Sequence, residues 1–159
     1  MQMFNDAFFK VYNRLLQKNS NKVFYGVLST PPMKSKPDAD TVLYSLLGNR
    51  DRRAYILAVK SLLRFCDDFH VVVQNDGTID EKGCQELRKH IQGIEILSVA
   101  ESEELIRSAA HPDILKCLPN LFAPSLPINH KILKFKLLNI LYRYRMKRVI
   151  MIDSDIICL

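Results

Sequence analysis

The sequence predicts an α/β fold, a Rossmann-like and mostly parallel sheet flanked by helices, and three observations carry that expectation. From residue 41 onward, short β-branched or aliphatic runs alternate with longer segments whose apolar residues recur every three or four positions. The last such run, Val149-Ile150-Met151-Ile152, is apolar throughout, the pattern of a strand buried on both faces of a parallel sheet. The chain's 159 residues, 48% of them hydrophobic, supply one core of ordinary domain size.

Residues 4–16 place Phe4, Phe8, Val11, Tyr12, Leu15 and Leu16 at helical spacing, with Lys10, Arg14 and Lys18 on other faces, so an N-terminal amphipathic helix is expected. Its aromatic face suits packing on protein, and its basic flanks suit peripheral contact with an anionic membrane; both readings stand. Residues 30–40 carry Pro31, Pro32 and Pro37 and read as a linker, because proline breaks both helix and ladder. The expected organisation is therefore residues 1–40 as helix and linker, and residues 41–159 as the α/β domain.

Within that domain the first strand is expected at 42–47 and its turn at 48–51. A helix then presents Tyr55, Ile56, Val59, Leu62, Leu63 and Cys66 on one face. A second strand at 69–73 closes on Asn75-Asp76-Gly77, and Thr78 with Glu81 three residues later matches a capping box opening the next helix. A third strand is expected at 94–99, a helix at 103–118 interrupted at Pro112, a loop at 119–127, a helix at 132–144 and the final strand at 149–152.

The formal charge is +6, and Lys131, Lys134, Lys136, Arg143, Arg145, Lys147 and Arg148 concentrate the excess near the C-terminus. This points to an anionic partner or to a solvated basic helix end. Cys66, Cys84, Cys117 and Cys158 are widely spaced without a C-x-x-C pair, as reduced thiols of a cytoplasmic protein would be. No apolar run approaches the length that spans a bilayer, and no signal-peptide pattern opens the chain.

The chemistry concentrates at strand ends. Side chains two apart on an extended segment point the same way, so Asp153 and Asp155 offer two carboxylates on one side, with Ser154 turned away. Hard cations such as Mn²⁺ or Mg²⁺ prefer such oxygen ligands and share them with substrate phosphates; the same residues also serve as turns. Asn75-Asp76-Gly77 is a turn, and at the cleft the Asp76 carboxylate would accept the imide N–H of a uracil-like base. Gly48 and Arg50 lie between the first strand and its helix, where backbone N–H groups meet anions. Lys136, in the helix before the last strand, is either a phosphate ligand or one more solvated lysine. His70, His90, His111 and His130 form no cluster and read as surface or strand-end residues, and neither a dinucleotide fingerprint nor a P-loop is present.

Together, "TVLYSLLGNRDRRAYILAVKSLLRF", "VVVQNDGTID" and "HKILKFKLLNILYRYRMKRVIMIDSDIICL" resemble the amino-terminal half of GT-A glycosyltransferases over residues 41–159. The resemblance implies a GT-A nucleotide-sugar-binding fold, a nucleotide-diphosphate sugar as donor, a UDP-sugar above others, and no nucleic-acid partner. It implies nucleoside contact by Leu47, Gly48 and Arg50, base contact by Asn75 and Asp76, phosphate contact by Lys136, and Mn²⁺ or Mg²⁺ held by Asp153 and Asp155, with Asp153 also on the donor. The family's turn usually carries an acidic residue where Asn75 stands and Ser where Thr78 stands. The family also continues past its D-x-D motif, so the resemblance implies a domain truncated at Leu159, with the acceptor and the catalytic base unassigned. The competing readings are an aspartyl-phosphate phosphohydrolase, which would place its D-x-D at the start of a domain, and a non-catalytic α/β binding module.

Overall fold

The computed structural model describes residues 25–121 and 128–153, with side chains over 25–116, at 134 and over 136–153. The expected helix at 4–16 and the Asp155 carboxylate lie outside the described residues. The chain divides into two compact units, Met1–Pro31 and Pro32–Leu159. The described part of the first is a short 3-10 turn, Val27–Ser29, closed where the Thr30 N–H and hydroxyl both donate to the Val27 carbonyl.

The second unit runs β1 (Met33–Lys34), β2 (Thr41–Leu47), α1 (Arg52–Leu63), β3 (His70–Asn75), α2 (Glu81–His90), β4 (Ile91–Gln92), β5 (Glu95–Leu97), α3 (Val99–Ala109), α4 (Pro112–Leu121), α5 (Ile128–Arg143) and β6 (Arg148–Met151). It is an α/β fold with parallel sheets flanked by helices: a four-stranded sheet in the order β5-β3-β2-β6 and a two-stranded sheet of β1 and β4. Among the described residues no helix is long and apolar enough to cross a membrane.

Alternation along the strands divides the core between the two faces. Val42, Tyr44 and Val72 pack with Leu97 and Tyr144, and Ile140 of α5 and Val149 close over them. On the other face Ser45 meets Tyr55 of α1, whose Ile56, Val59 and Leu63 are also buried. Burial pushes the Tyr55 hydroxyl above its ordinary pKa, and the adjacent Ser45 partly offsets it.

Beneath α3 and α5 lies a buried polar cluster. The Asn139 amide nitrogen is within donor distance of Tyr44 Oη (3.2 Å), Gln74 Oε1 (2.7 Å) and Ser102 Oγ (2.9 Å), while the Ser102 hydroxyl donates to Gln74 Oε1 at 2.6 Å. Two strands and two helices are thus joined through side chains whose polar groups would otherwise be costly to bury. Burial pushes the Tyr44 hydroxyl up to about 12, against the lowering contribution of its Asn139 hydrogen bond.

Several boundaries differ from expectation for local reasons. Residues 33–34, expected within a linker, form β1 and pair with residues 91–92; two-residue strands carry no periodicity to read. The expected third strand shortens to Glu95–Leu97, and β-branched Val99 begins α3 because Ser98 and Glu101 form a reciprocal capping box. The expected Thr78–Glu81 box does not form: Asp80 caps α2 by accepting from Gly83 N at 2.8 Å. Pro112 does break the helical stretch, standing first in α4 where its missing N–H costs nothing. Helix α4 then runs through Pro119 to Leu121, part of the expected loop, and α5 begins at Ile128 rather than 132. Finally, β6 is not buried on both faces. It borders the four-stranded sheet beside β2, leaving Ile150 at 44% and Met151 at 52% exposure.

Candidate functional site

Because β2, β3 and β6 run parallel, their carboxyl ends emerge on one side of the sheet, where open α/β sheets bind ligands. β2 pairs Leu47 with Asn75 at its end, and Ile152 N donates to Tyr44 O at 3.1 Å, carrying Asp153 toward the same end on the neighbouring strand.

At this end the fold brings together two residues expected to act together. Lys136 of α5 places its Nζ 3.8 Å from Asp153 Oδ1, with the lysine side chain 15% exposed and the aspartate 79%. The amphiphilic lysine stem is covered while its ammonium reaches an open carboxylate.

The second group is the loop 75–78. The Asn75 side chain is consumed internally: its Oδ1 accepts from Gly77 N (2.8 Å) and Ile79 N (3.2 Å), and its Nδ2 donates to Ile79 O (2.9 Å). Gly77 has φ +93°, which an L side chain adopts only with strain. Asp76 N donates to Leu47 O at 3.0 Å, tying the loop to the end of β2. Its Oδ1 accepts from Thr78 N at 2.8 Å and from Thr78 Oγ1 at 2.6 Å. Oδ2 lies over Gly48, where an added Cβ would come within 2.6 Å of it.

The remaining expected residues are placed less directly. The Leu47 side chain is core, 1% exposed, and its carbonyl is taken by Asp76, so a ligand at this end meets backbone there at most. Arg50 stands in the 3-10 turn Asn49–Asp51 with its side chain 92% exposed and its Nε 3.2 Å from Asp51 Oδ1. Arg52 fixes the same turn, donating to Asn49 Oδ1 and, at 2.9 Å, to Glu86 Oε1.

Asp153 is a hard oxygen donor on an exposed strand end, and in that respect its chemistry fits Mn²⁺ or Mg²⁺. Among the described residues no group of three or more His, Cys, Asp or Glu side chains is placed to hold a metal, and Asp155 lies outside them. His70 and His90, read from sequence as surface or strand-end residues, are 8% and 4% exposed; His70 does open β3.

Thr78 is the residue that sequence reasoning assigned to the wrong task. Its hydroxyl braces Asp76 and accepts from Asn49 N at 2.8 Å, linking the two loops instead of capping α2. The Asp-x-Thr spacing is itself a signal for such a side-chain-stabilised turn. Comparison of the chain with protein-family models, curated proteins and solved structures finds no match.

Proposed function

We propose that this chain is the donor-binding module of a glycosyltransferase, taking a nucleoside diphosphate sugar, a UDP-sugar above others, at the carboxyl ends of β2, β3 and β6. The observation that carries the reading is the Lys136–Asp153 juxtaposition at the sheet end that also bears the Asp76 loop. A cation and an exposed carboxylate set side by side suit a ligand bringing both phosphates and a divalent metal.

In this reading Asp76 accepts from the base, the backbone at Gly48 and the Arg50 guanidinium lie along the nucleoside and phosphates, and Lys136 offsets diphosphate charge. Asp153, with Asp155, holds Mn²⁺ or Mg²⁺. The ion, when bound, supplies Lewis-acid stabilisation of the leaving diphosphate as an acceptor hydroxyl attacks the anomeric carbon. The acceptor, and the base that takes its proton, are not assigned to any residue of this chain. A cytoplasmic setting, with peripheral membrane contact through residues 4–16, belongs to the same proposal.

The test is equilibrium dialysis of UDP with Mn²⁺ against the wild type, Asp153→Asn and Lys136→Ala. Loss of a charged partner at each position is expected to weaken UDP by about tenfold or more. For Asp153→Asn the loss should vanish when the metal is chelated, since both proteins then bind equally poorly. Wild-type affinity in both variants would reject the site.

A further inference from the structure

The loop after β3 does more than turn the chain. Thr78 Oγ1 donates to Asp76 Oδ1 at 2.6 Å while accepting from Asn49 N at 2.8 Å, and Thr78 N donates to the same Oδ1 at 2.8 Å. One carboxylate oxygen of Asp76 is therefore occupied twice from within the protein. The other, Oδ2, lies over Gly48, which has no side chain to cover it, and among the described residues no donor reaches it.

We propose that Thr78 is a positioning residue that makes Asp76 read a base through a single oxygen, so that the site selects uracil and rejects guanine. The inference rests on the donor-binding reading above and adds a specificity determinant to it. Uracil presents one imide N–H, flanked by carbonyl acceptors, and one carboxylate oxygen satisfies it. Guanine presents two N–H donors side by side, a ring N–H and an exocyclic amine, which pair fully only with both oxygens of a carboxylate. With Oδ1 spent on Thr78, guanine forms one bond and leaves a donor unpaired in the site, a cost that uracil does not meet. Cytosine and adenine carry a bare ring nitrogen at the corresponding edge, which a carboxylate repels.

Gly48 is the second part of the device. A Cβ there would stand 2.6 Å from Asp76 Oδ2, so only glycine leaves the reading oxygen in its place. The neighbouring Asn75 takes no part in reading, since both ends of its amide are engaged with Gly77 and Ile79.

Calorimetric binding of UDP and of GDP, each with Mn²⁺, to the wild type, Thr78→Val and Thr78→Ser tests this. The wild type should prefer UDP. Thr78→Val removes the hydroxyl, leaves Oδ1 held by the residue-78 N–H alone and so loosens the carboxylate, and should narrow the UDP-over-GDP ratio by about tenfold, whereas Thr78→Ser keeps the hydroxyl and should hold the ratio within about twofold. If Thr78→Val fails to fold, Thr78→Ala gives the same measurement without the branched side chain. A ratio unchanged in the folded valine or alanine variant overturns the inference and leaves the donor-binding reading standing. Absence of UDP binding by the wild type overturns that reading, and this inference with it.

Discussion

Two carboxylates stand at the carboxyl end of the sheet and are held in opposite ways. Asp76 is fixed by its own amide to Leu47 and by two donors from Thr78, whereas Asp153 is largely exposed with Lys136 3.8 Å away. A braced carboxylate suits recognition of a rigid base, and an open one suits a ligand whose charges arrive with it. Gly48→Ala should therefore weaken UDP binding with little loss of stability, because the displaced atom is the tip of Asp76 and not packed core; parallel calorimetry and thermal melts would check this. Gly77→Ala, at φ +93°, should cost about 1 kcal/mol in urea unfolding through backbone strain alone. At this scale Asp76 and Gly77 were legible, since Asn-Asp-Gly marks a turn in any context. The role of Thr78 was not, because a hydroxyl caps a helix or braces a carboxylate according to where the helix begins, and Asp80 decides that here.

Among the elements, α1 was legible because its apolar spacing matches one helical face, with Tyr55, Ile56, Val59 and Leu63 buried, but the helix ends at Leu63 and leaves Cys66, expected on the same face, exposed beyond it. The β5–α3 boundary was misread because Val99 resembles a strand residue in isolation, while the Ser98 and Glu101 side chains together supply two of the hydrogen bonds a helix start needs. That reciprocal box also holds the Glu101 carboxyl below its ordinary pKa through the backbone and side chain of Ser98. Ser98→Ala should destabilise the protein by about 1 kcal/mol, read from the urea midpoint. The pairing of β1 with β4 was beyond sequence reasoning, since its stabilisation lies in contacts between segments far apart in the chain. The exposure of β6 was missed for a related reason: the composition of a strand does not state its place in the sheet, and the apolar run 149–152 occupies a border.

For the molecule as a whole, a second polar cluster stands at the opposite end of the strands from Asp76 and Asp153. Toward the amino ends Glu95 accepts from Tyr144 Oη at 3.0 Å and pairs with His70 Nε2 at 3.1 Å and with Arg143. Burial alone would raise the Glu95 carboxyl, but the His70 hydrogen bond, the Arg143 charge and the Tyr144 hydroxyl outweigh it and hold it at about 2. A carboxyl depressed in the folded state contributes stability that is present above its unfolded pKa, near 4.5, and is lost as pH falls toward 2. This contribution is on the order of 2 kcal/mol after allowance for solvent screening.

His90 acts in a higher window. Burial, then the nearby Lys60 ammonium, lower its pKa from 6.5, so the unfolded chain takes up the proton first and stability declines as pH drops below that value. Urea midpoints followed across pH should thus fall in two stages, with His90→Gln removing the upper stage and Glu95→Gln the lower. A single stage untouched by either variant would contradict the assignment. The general α/β plan was legible because alternating strand and helix patterns specify layers. Neither the amino-end clamp nor the Asn139 cluster was legible, because each gathers polar residues that no sequence pattern links.

The most direct test of the central claim is a calorimetric titration of UDP into the wild-type chain, first with Mn²⁺ and then with the metal chelated. Saturable binding with Mn²⁺ that is lost on chelation is the predicted result. Binding indifferent to the metal, or no binding in either condition, would contradict the assignment of this sheet end as a metal-dependent nucleotide-sugar site.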